Sequence, residues 1–374
     1  MTIAIYADPL SVFTSFMPQR GLITLLIRRR PEDKFVFYIH GRFLNHHVIV
    51  EFFKQLSMFS NWHIVKIWYP HKLTRIFQFL GFPFPLLPSN ADIYISPDVE
   101  TFGKHSKPVI NFVADMTVFD DLENTSLSLF NSKFRRKSIR KMNGKSDAIV
   151  VVSKYTRTRY LHYFPKSIDK VQMIYNGINQ KWFDNNVVTN STSEVPFWIW
   201  MGGSYNSRKN LNRLFLAYKK LKSSSLSTVP KILLVGLDDD SKIRLFKILR
   251  EYGLSDNVQI ISKVPLDELI NLVDKSKGLL FPSIYEGFGL PVIEVYSRGK
   301  NVLVSNITSL PEVSNNLGIL CDPLSIESIY EGLLMMCGNQ EDSEKRNLRI
   351  SWAKQFSYEN ALISLNNIIT TITT

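Results

Sequence analysis

Cysteine is nearly absent: the 374-residue chain has two, Cys321 and Cys337. That excludes a disulfide framework and a cysteine-built zinc site, and it suits a reducing compartment. Histidine is missing from everything after His162, and His46-His47 has no second ligand cluster nearby, so the pair reads as structural. No run reaches the roughly 18 apolar residues of a membrane-spanning helix. Met1 to Asp8 lacks a basic leader and a long apolar core, so it reads as a first strand rather than a signal peptide. Repeats and low-complexity tracts are absent too. Acidic residues are outnumbered 33 to 45, for a formal charge of +12. These absences leave a globular protein, cytoplasmic and soluble or peripheral, whose charge favours polyanionic partners: nucleic acid, anionic lipid or phosphorylated substrates.

The chain is longer than the roughly 250–300 residues at which single cores stop growing, which predicts two domains. Short apolar runs alternate with helical periodicity. Strands are expected at 2–6, 34–39, 62–69, 91–95, 109–113, 148–152 and 171–175, with helices at 22–30 and 46–58. A second series has strands at 197–201, 232–235, 258–261, 278–281, 302–304 and 318–321. Helices at 211–222, 240–252, 266–275, 291–298 and 325–337 lie between or after them. Strand–helix alternation of this kind predicts two doubly wound parallel sheets in series, with ligand loops at strand carboxyl ends and a cleft between. The polar stretch Asn185 to Glu194 is the expected linker. It separates a first domain, 1–184, from a second, 195–350, and a helical stretch over 351–374 is expected to cross back and brace the first.

Two stretches of the first half bear on partners. Lys72 to Pro88 is rich in Phe, Leu and Ile, and reads as a long loop packed over the core. The alternative is an apolar flap for a membrane surface or a lipid-linked acceptor. Lys133 to Lys145 holds seven basic residues and no acidic one. It reads as a solvated helix face, or as a contact for anionic headgroups or phosphates.

The chemistry concentrates in two loops of the second half. Strand 197–201 runs into Gly202-Gly203, then Arg208-Lys209-Asn210 and a helix. Glycines allow close backbone approach, a helix start offers N–H groups, and two cations add charge: a diphosphate site in outline, or a glycine turn before a basic helix start. Strand 278–281 runs into Glu286-Gly287-Phe288-Gly289-Leu290-Pro291, with Glu294 eight positions after Glu286. Pro291 suits a first helical residue. Glu286 is placed to accept sugar hydroxyls, or is an exposed turn residue. Glu294 is placed for a ribose diol, or is a carboxylate favoured by the helix dipole. Asp238-Asp239-Asp240 suggests an acidic metal motif, but before a helix it reads better as a cap.

The Glu286–Glu294 signature, with Arg208-Lys209-Asn210, Asn176-Gly177, Val152-Ser153, Thr308-Ser309-Leu310-Pro311-Glu312 and Trp352 to Glu359, resembles the retaining GT-B glycosyltransferases of family 4, glycosyl transferases group 1. The resemblance is dense from Phe197 onward and thin before Ala148. It implies a GT-B fold and transfer of a mannose- or glucose-type hexose from a nucleotide diphosphate sugar to a glycan, glycolipid or lipid-linked acceptor. The anomeric configuration is retained, without cofactor or obligatory metal and with no nucleic acid partner. Donor roles fall on Gly202, Gly203, Arg208, Lys209, Gly287, Phe288, Gly289, Leu290 and Glu294, with Glu286 at the reacting sugar.

The first domain departs from the family pattern. A glycine pair after the first strand is represented by Gly21 alone, assigned to the donor. The His-Asp after strand 109–113 is Ala114-Asp115, which leaves Asp115 as catalytic candidate or helix cap. Rival expectations are an epimerase or phosphorylase on the same fold, and a degenerate binding protein using its basic face.

Overall fold

The computed structural model describes residues 1–12, 16–71, 73, 91–99, 107–120, 129–184, 195–226, 228–338 and 342–374. Most of the apolar stretch 72–88 and all of 185–194 lie outside the described residues. The chain forms two units. Among the described residues, one runs from Met1 to Gly177 and from Ser357 to Thr374; the other runs from Ile178 to Phe356.

The first unit holds a seven-stranded parallel sheet: β1 (Thr2–Tyr6), β2 (Lys34–His40), β3 (Trp62–Ile67), β4 (Ile93–Ser96), β5 (Val109–Val113), β6 (Ala148–Val151) and β7 (Val171–Met173). Their order is β3-β2-β1-β4-β5-β6-β7. Near-continuous apolar strands are what a sheet covered on both faces requires. Along β1, Ile3 and Ile5 enter one core while Ala4 and Tyr6 enter the other. The first of these cores also takes Ala361, Leu362, Leu365, Ile368 and Ile369 from the last helix, Tyr358–Thr373. The chain therefore ends, as expected, packed on the unit in which it began.

Two expectations need correction here. The terminal helical stretch is two helices, Ser343–Ala353 and Tyr358–Thr373. The Ser357 hydroxyl between them accepts the Asn360 N–H and starts the second. Gly21 is not in a loop after β1. It lies inside the Met17–Arg29 helix, where an added Cβ would stand 2.1 Å from the Tyr358 ring. Its lack of a side chain lets the terminal helix pack closely.

The basic stretch is a helix, Leu129–Asn143, in which Arg135 and Arg136 are tied into the unit while Arg140 is exposed. Arg135 forks onto Asp98 at 3.0 and 2.7 Å. Arg136 donates to the Val118 carbonyl, and Arg136 and Arg140 both lie over the Phe119 ring. Lys133, Lys137 and Lys141 recur every fourth position of the helix, so they share one side, and Lys145 follows its end. Burial, then Lys145 and Lys137, lower the pKa of Lys141.

The second unit holds a six-stranded parallel sheet: β8 (Phe197–Met201), β9 (Lys231–Val235), β10 (Val258–Ile261), β11 (Leu279–Phe281), β12 (Val302–Ser305) and β13 (Ile319–Cys321). Their order is β10-β9-β8-β11-β12-β13. The chain runs outward from β8 to β10 and returns to β11 on the other side of β8. Loops leaving the carboxyl ends of β8 and β11 diverge at such a switch point and leave a crevice for a ligand.

Candidate donor site at the β8–β11 switch point

Both sequence motifs leave the two strands that flank this crevice. After β8, Gly202 donates its N–H to Val235 at 3.1 Å, and the Gly203 carbonyl accepts from Asp238 at 3.1 Å. Asp238 in turn caps the Asp239–Tyr252 helix by accepting the Ser241 N–H at 2.8 Å. The acidic triplet is a cap, as expected. Among the described residues no group of three acidic, histidine or cysteine side chains is placed to hold a metal ion.

Asn210 was missed as a positioning residue. It adopts a left-handed conformation (φ 59°), which asparagine tolerates better than most side chains. Its buried amide donates to the carbonyls of Pro282 (2.9 Å) and Pro323 (2.7 Å). Together with the Ile284 N–H on the Arg208 carbonyl (2.7 Å), this ties the β8 loop to the β11 loop. Arg208 and Lys209 are thereby brought onto Glu286.

Lys209 Nζ lies 2.7 Å from Glu286 Oε1, and Arg208 Nη1 lies 3.6 Å from Oε2. Lys209 also sits over the Phe281 ring, 4.9 Å from its centre. Glu286 is 7% exposed, so it is no ordinary turn residue. Burial alone would push its pKa up; Lys209, then Arg208, outweigh that and hold it below the usual carboxylate range.

The turn is braced from the loop after β12. Ser309 Oγ lies 2.9 Å from the Glu286 carbonyl and 2.7 Å from that of Phe288, and donates to them. Thr308 Oγ1 accepts the Glu286 N–H at 3.4 Å. Thr308 has φ 61°, rare for a β-branched residue and a sign of strain held beside a site. The sequence marked both residues as part of a pattern but gave neither a task. Phe288 is buried against Phe356, and Gly287 is buried with it. Gly289, at φ 111°, starts the Leu290–Ser297 helix with no side-chain cap; a Cβ there would lie 2.7 Å from Leu310.

Glu294, in the second turn of that helix, is 5% exposed. Among the described residues nothing donates a hydrogen bond to its carboxylate and no cation pairs with it. Burial raises its pKa to about 7. A buried carboxyl group normally has partners, so this one points to hydroxyls that a ligand supplies.

The first unit has a polar cluster that the sequence did not disclose. Asp8, after β1, accepts the His40 N–H (2.8 Å), the Tyr6 hydroxyl (2.9 Å) and the His40 Nδ1 (2.5 Å). His71 Nε2 is 3.9 Å from the same carboxylate. Asp8 and His40 stand 32 positions apart and meet only because β1 and β2 are neighbours. Asp115 follows β5, and its Oδ1 accepts the Thr117 N–H at 3.0 Å, the capping role named beside the catalytic one.

The family model of the glycosyl transferases group 1 matches residues 188–354. The O-antigen chain mannosyltransferase B of Escherichia coli is 28% identical over 264 residues, covering 68% of this chain and 63% of that protein. A serotype-specific mannosyltransferase of the same species is 28% identical over 196 residues, 50% of this chain and 24% of that protein. The chain thus spans less than two thirds of either relative's length. The structure of Anabaena HepE in complex with UDP-glucose superposes with a TM-score of 0.72 at 13% identity, covering 99% of this chain and 100% of that one, a likeness of fold. The cation-paired Glu286, the glycine turn and the buried Glu294 all lie within the segment that the glycosyl transferases group 1 model matches, and over that segment the chain is similar to this family.

Proposed function

We propose that the protein is a retaining hexosyltransferase that moves a mannose- or glucose-type hexose from a nucleotide diphosphate sugar to a glycan, glycolipid or lipid-linked acceptor. One observation carries the reading. Glu294, a buried carboxyl group without partners among the described residues, lies one helical turn beyond a helix start that follows a carboxylate paired to two cations. That set matches the parts of a nucleotide sugar: hydroxyl acceptors for ribose and hexose, and cations for the diphosphate between them.

Glu294 takes the ribose diol. Arg208, Lys209 and the N–H groups of Gly289 and Leu290 take the diphosphate, and Glu286 takes the sugar hydroxyls. Gly202, Gly203 and Gly287 let the backbone come close. As the anomeric C–O bond breaks, charge grows on the departing diphosphate. The same cations and helix start stabilise it without a metal. The names of the Escherichia coli relatives favour mannose as the sugar and an O-antigen chain as the acceptor. Asp115 is a weaker candidate for contact with the reacting groups, since its cap accounts for one carboxylate oxygen.

Thermal shift with GDP, UDP, ADP and their sugars tests the donor site, because a ligand of the folded state raises the melting point. The expected outcome is a shift with one nucleotide series, undiminished by EDTA. Product NMR is expected to show the donor's anomeric configuration. No shift with any nucleotide would remove the reading, and an inverted product would remove retention.

A peripheral, cytoplasmic location is part of the proposal. Among the described residues no helix is long and apolar enough to cross a membrane. The lysines at every fourth position from 133 to 145 suit anionic headgroups. Flotation with anionic vesicles is expected to exceed that with neutral ones, and Lys137→Glu with Lys141→Glu is expected to abolish the difference. Equal flotation on both lipids would overturn this part.

A further inference from the structure

We propose that Glu286 is the resident counter-anion of the diphosphate subsite. In the donor-free protein its carboxylate occupies the cations that the diphosphate takes over, and the exchange hands the carboxylate to the donor sugar. The proposal rests on the donor-site reading above and adds the order of events at one side chain.

The pairing is two cations to one anion, each carboxylate oxygen facing one of them: Lys209 on Oε1 and Arg208 on Oε2. The cations are held by groups other than Glu286. Lys209 rests on the Phe281 ring, and Arg208 donates to the Tyr285 carbonyl. The Asn210 amide fixes the backbone that follows both. They stay in place when the carboxylate leaves. Beyond the two cations and Ser283, Glu286 is held through its backbone, by Thr308 and Ser309, so once the cations are taken its side chain can turn about its own bonds.

A diphosphate brings more negative charge than one carboxylate and binds the same cations through more oxygens. Two like charges cannot share that place, so the carboxylate must turn away as the phosphates enter. Once displaced, it is a buried anion that needs donors, and the hexose hydroxyls supply them. A nucleoside diphosphate without sugar displaces Glu286 and leaves it unsatisfied. The pair therefore weakens binding of the bare diphosphate and selects for a donor that still carries its sugar, which also aids product release.

Calorimetric titration of the wild type and Glu286→Gln with GDP, UDP, ADP and the matching nucleotide sugars tests this. Glutamine keeps the shape and removes the charge. The variant is expected to bind the nucleoside diphosphate about tenfold tighter or more, equivalent to about 1.4 kcal/mol. Its preference for the sugar-bearing donor, and its turnover, are expected to fall. A residue that merely braced Lys209 would weaken both ligands when neutralised, and unchanged or weaker diphosphate binding overturns the proposal. Should Glu286→Gln fail to fold, Glu286→Asp, one methylene shorter, is expected to tighten the diphosphate by a smaller factor; no tightening again overturns it. If the wild type binds no nucleotide, the donor-site reading itself falls. If it binds one and the variant does not tighten, the donor site stands and only the exchange is lost.

Discussion

Glu294→Gln is expected to stabilise the fold above neutral pH while weakening nucleotide binding. The carboxyl group is buried, has no partner among the described residues, and titrates near pH 7 in the folded chain. In the unfolded chain it titrates at about 4.3. Between those values the folded state holds the proton and the unfolded state does not. Stability from this group is therefore complete below about pH 4 and falls as pH rises toward 7. Above that it stays low, because folding then buries a bare charge. At about 1.4 kcal/mol per unit, the wild type loses on the order of 3 kcal/mol that glutamine does not lose. Urea unfolding at pH 5, 6, 7 and 8 should show the variant's advantage opening over that interval and then levelling. A pH-independent difference would mean that the carboxyl group is ionised throughout. Nucleotide affinity should drop by about 10- to 100-fold, the worth of hydrogen bonds to a charged acceptor. A stabilised variant that still binds nucleotide at wild-type strength would separate Glu294 from the ribose.

Lys209→Met is expected to act in the opposite sense. It leaves Glu286 buried with Arg208, 3.6 Å away, as its remaining cation and Ser283 as a hydrogen-bond partner. Removing one partner of a buried pair typically costs about 3–5 kcal/mol, because the remaining charge keeps its desolvation cost. The pair's stability is present above the usual carboxylate range and is lost as pH falls through the lowered pKa of Glu286. The wild type and the variant should therefore converge in acid. The double variant Lys209→Met, Glu286→Gln should recover most of the lost stability, since no bare charge remains, but none of the activity. Turnover of the single variant should fall by at least about 100-fold if Lys209 stabilises the departing diphosphate. Unfolding curves and donor hydrolysis on the three proteins separate these outcomes. A double variant no more stable than Lys209→Met would show that packing of the lysine stem on Phe281, and not charge, is what was lost.

The two glutamates of one short motif thus pull stability in opposite directions with pH. Their spacing was visible in the chain, but their environments were not. Glu286 is flanked by Arg208 and by Lys209, the latter 77 positions away, because β8 and β11 are adjacent strands. Among the described residues Glu294 stands apart from any cation, buried one helical turn farther on. Gly21 shows the converse. A glycine near the first strand matched a family habit, yet a helix begun at Met17 with Pro18 in its first turn enclosed it, and Tyr358 from the far end of the chain occupies the space it leaves.

By itself the sequence determined the alternation of strands and helices, the two parallel sheets and the loops that bear the chemistry. Those features rest on local rules: apolar runs, helical spacing, glycine at turns and proline at a helix start. Only the tertiary structure decided which loops meet. It pinned the β8 and β11 loops together through Asn210, braced the glycine turn with Thr308 and Ser309, and joined Asp8 to His40 across neighbouring strands. It also turned a basic run into arginines held by Asp98 and Phe119 beside a row of lysines. The physical reason is that charge pairing, desolvation and close packing depend on distances between residues far apart in the chain. Strand order sets those distances, and spacing along the sequence does not.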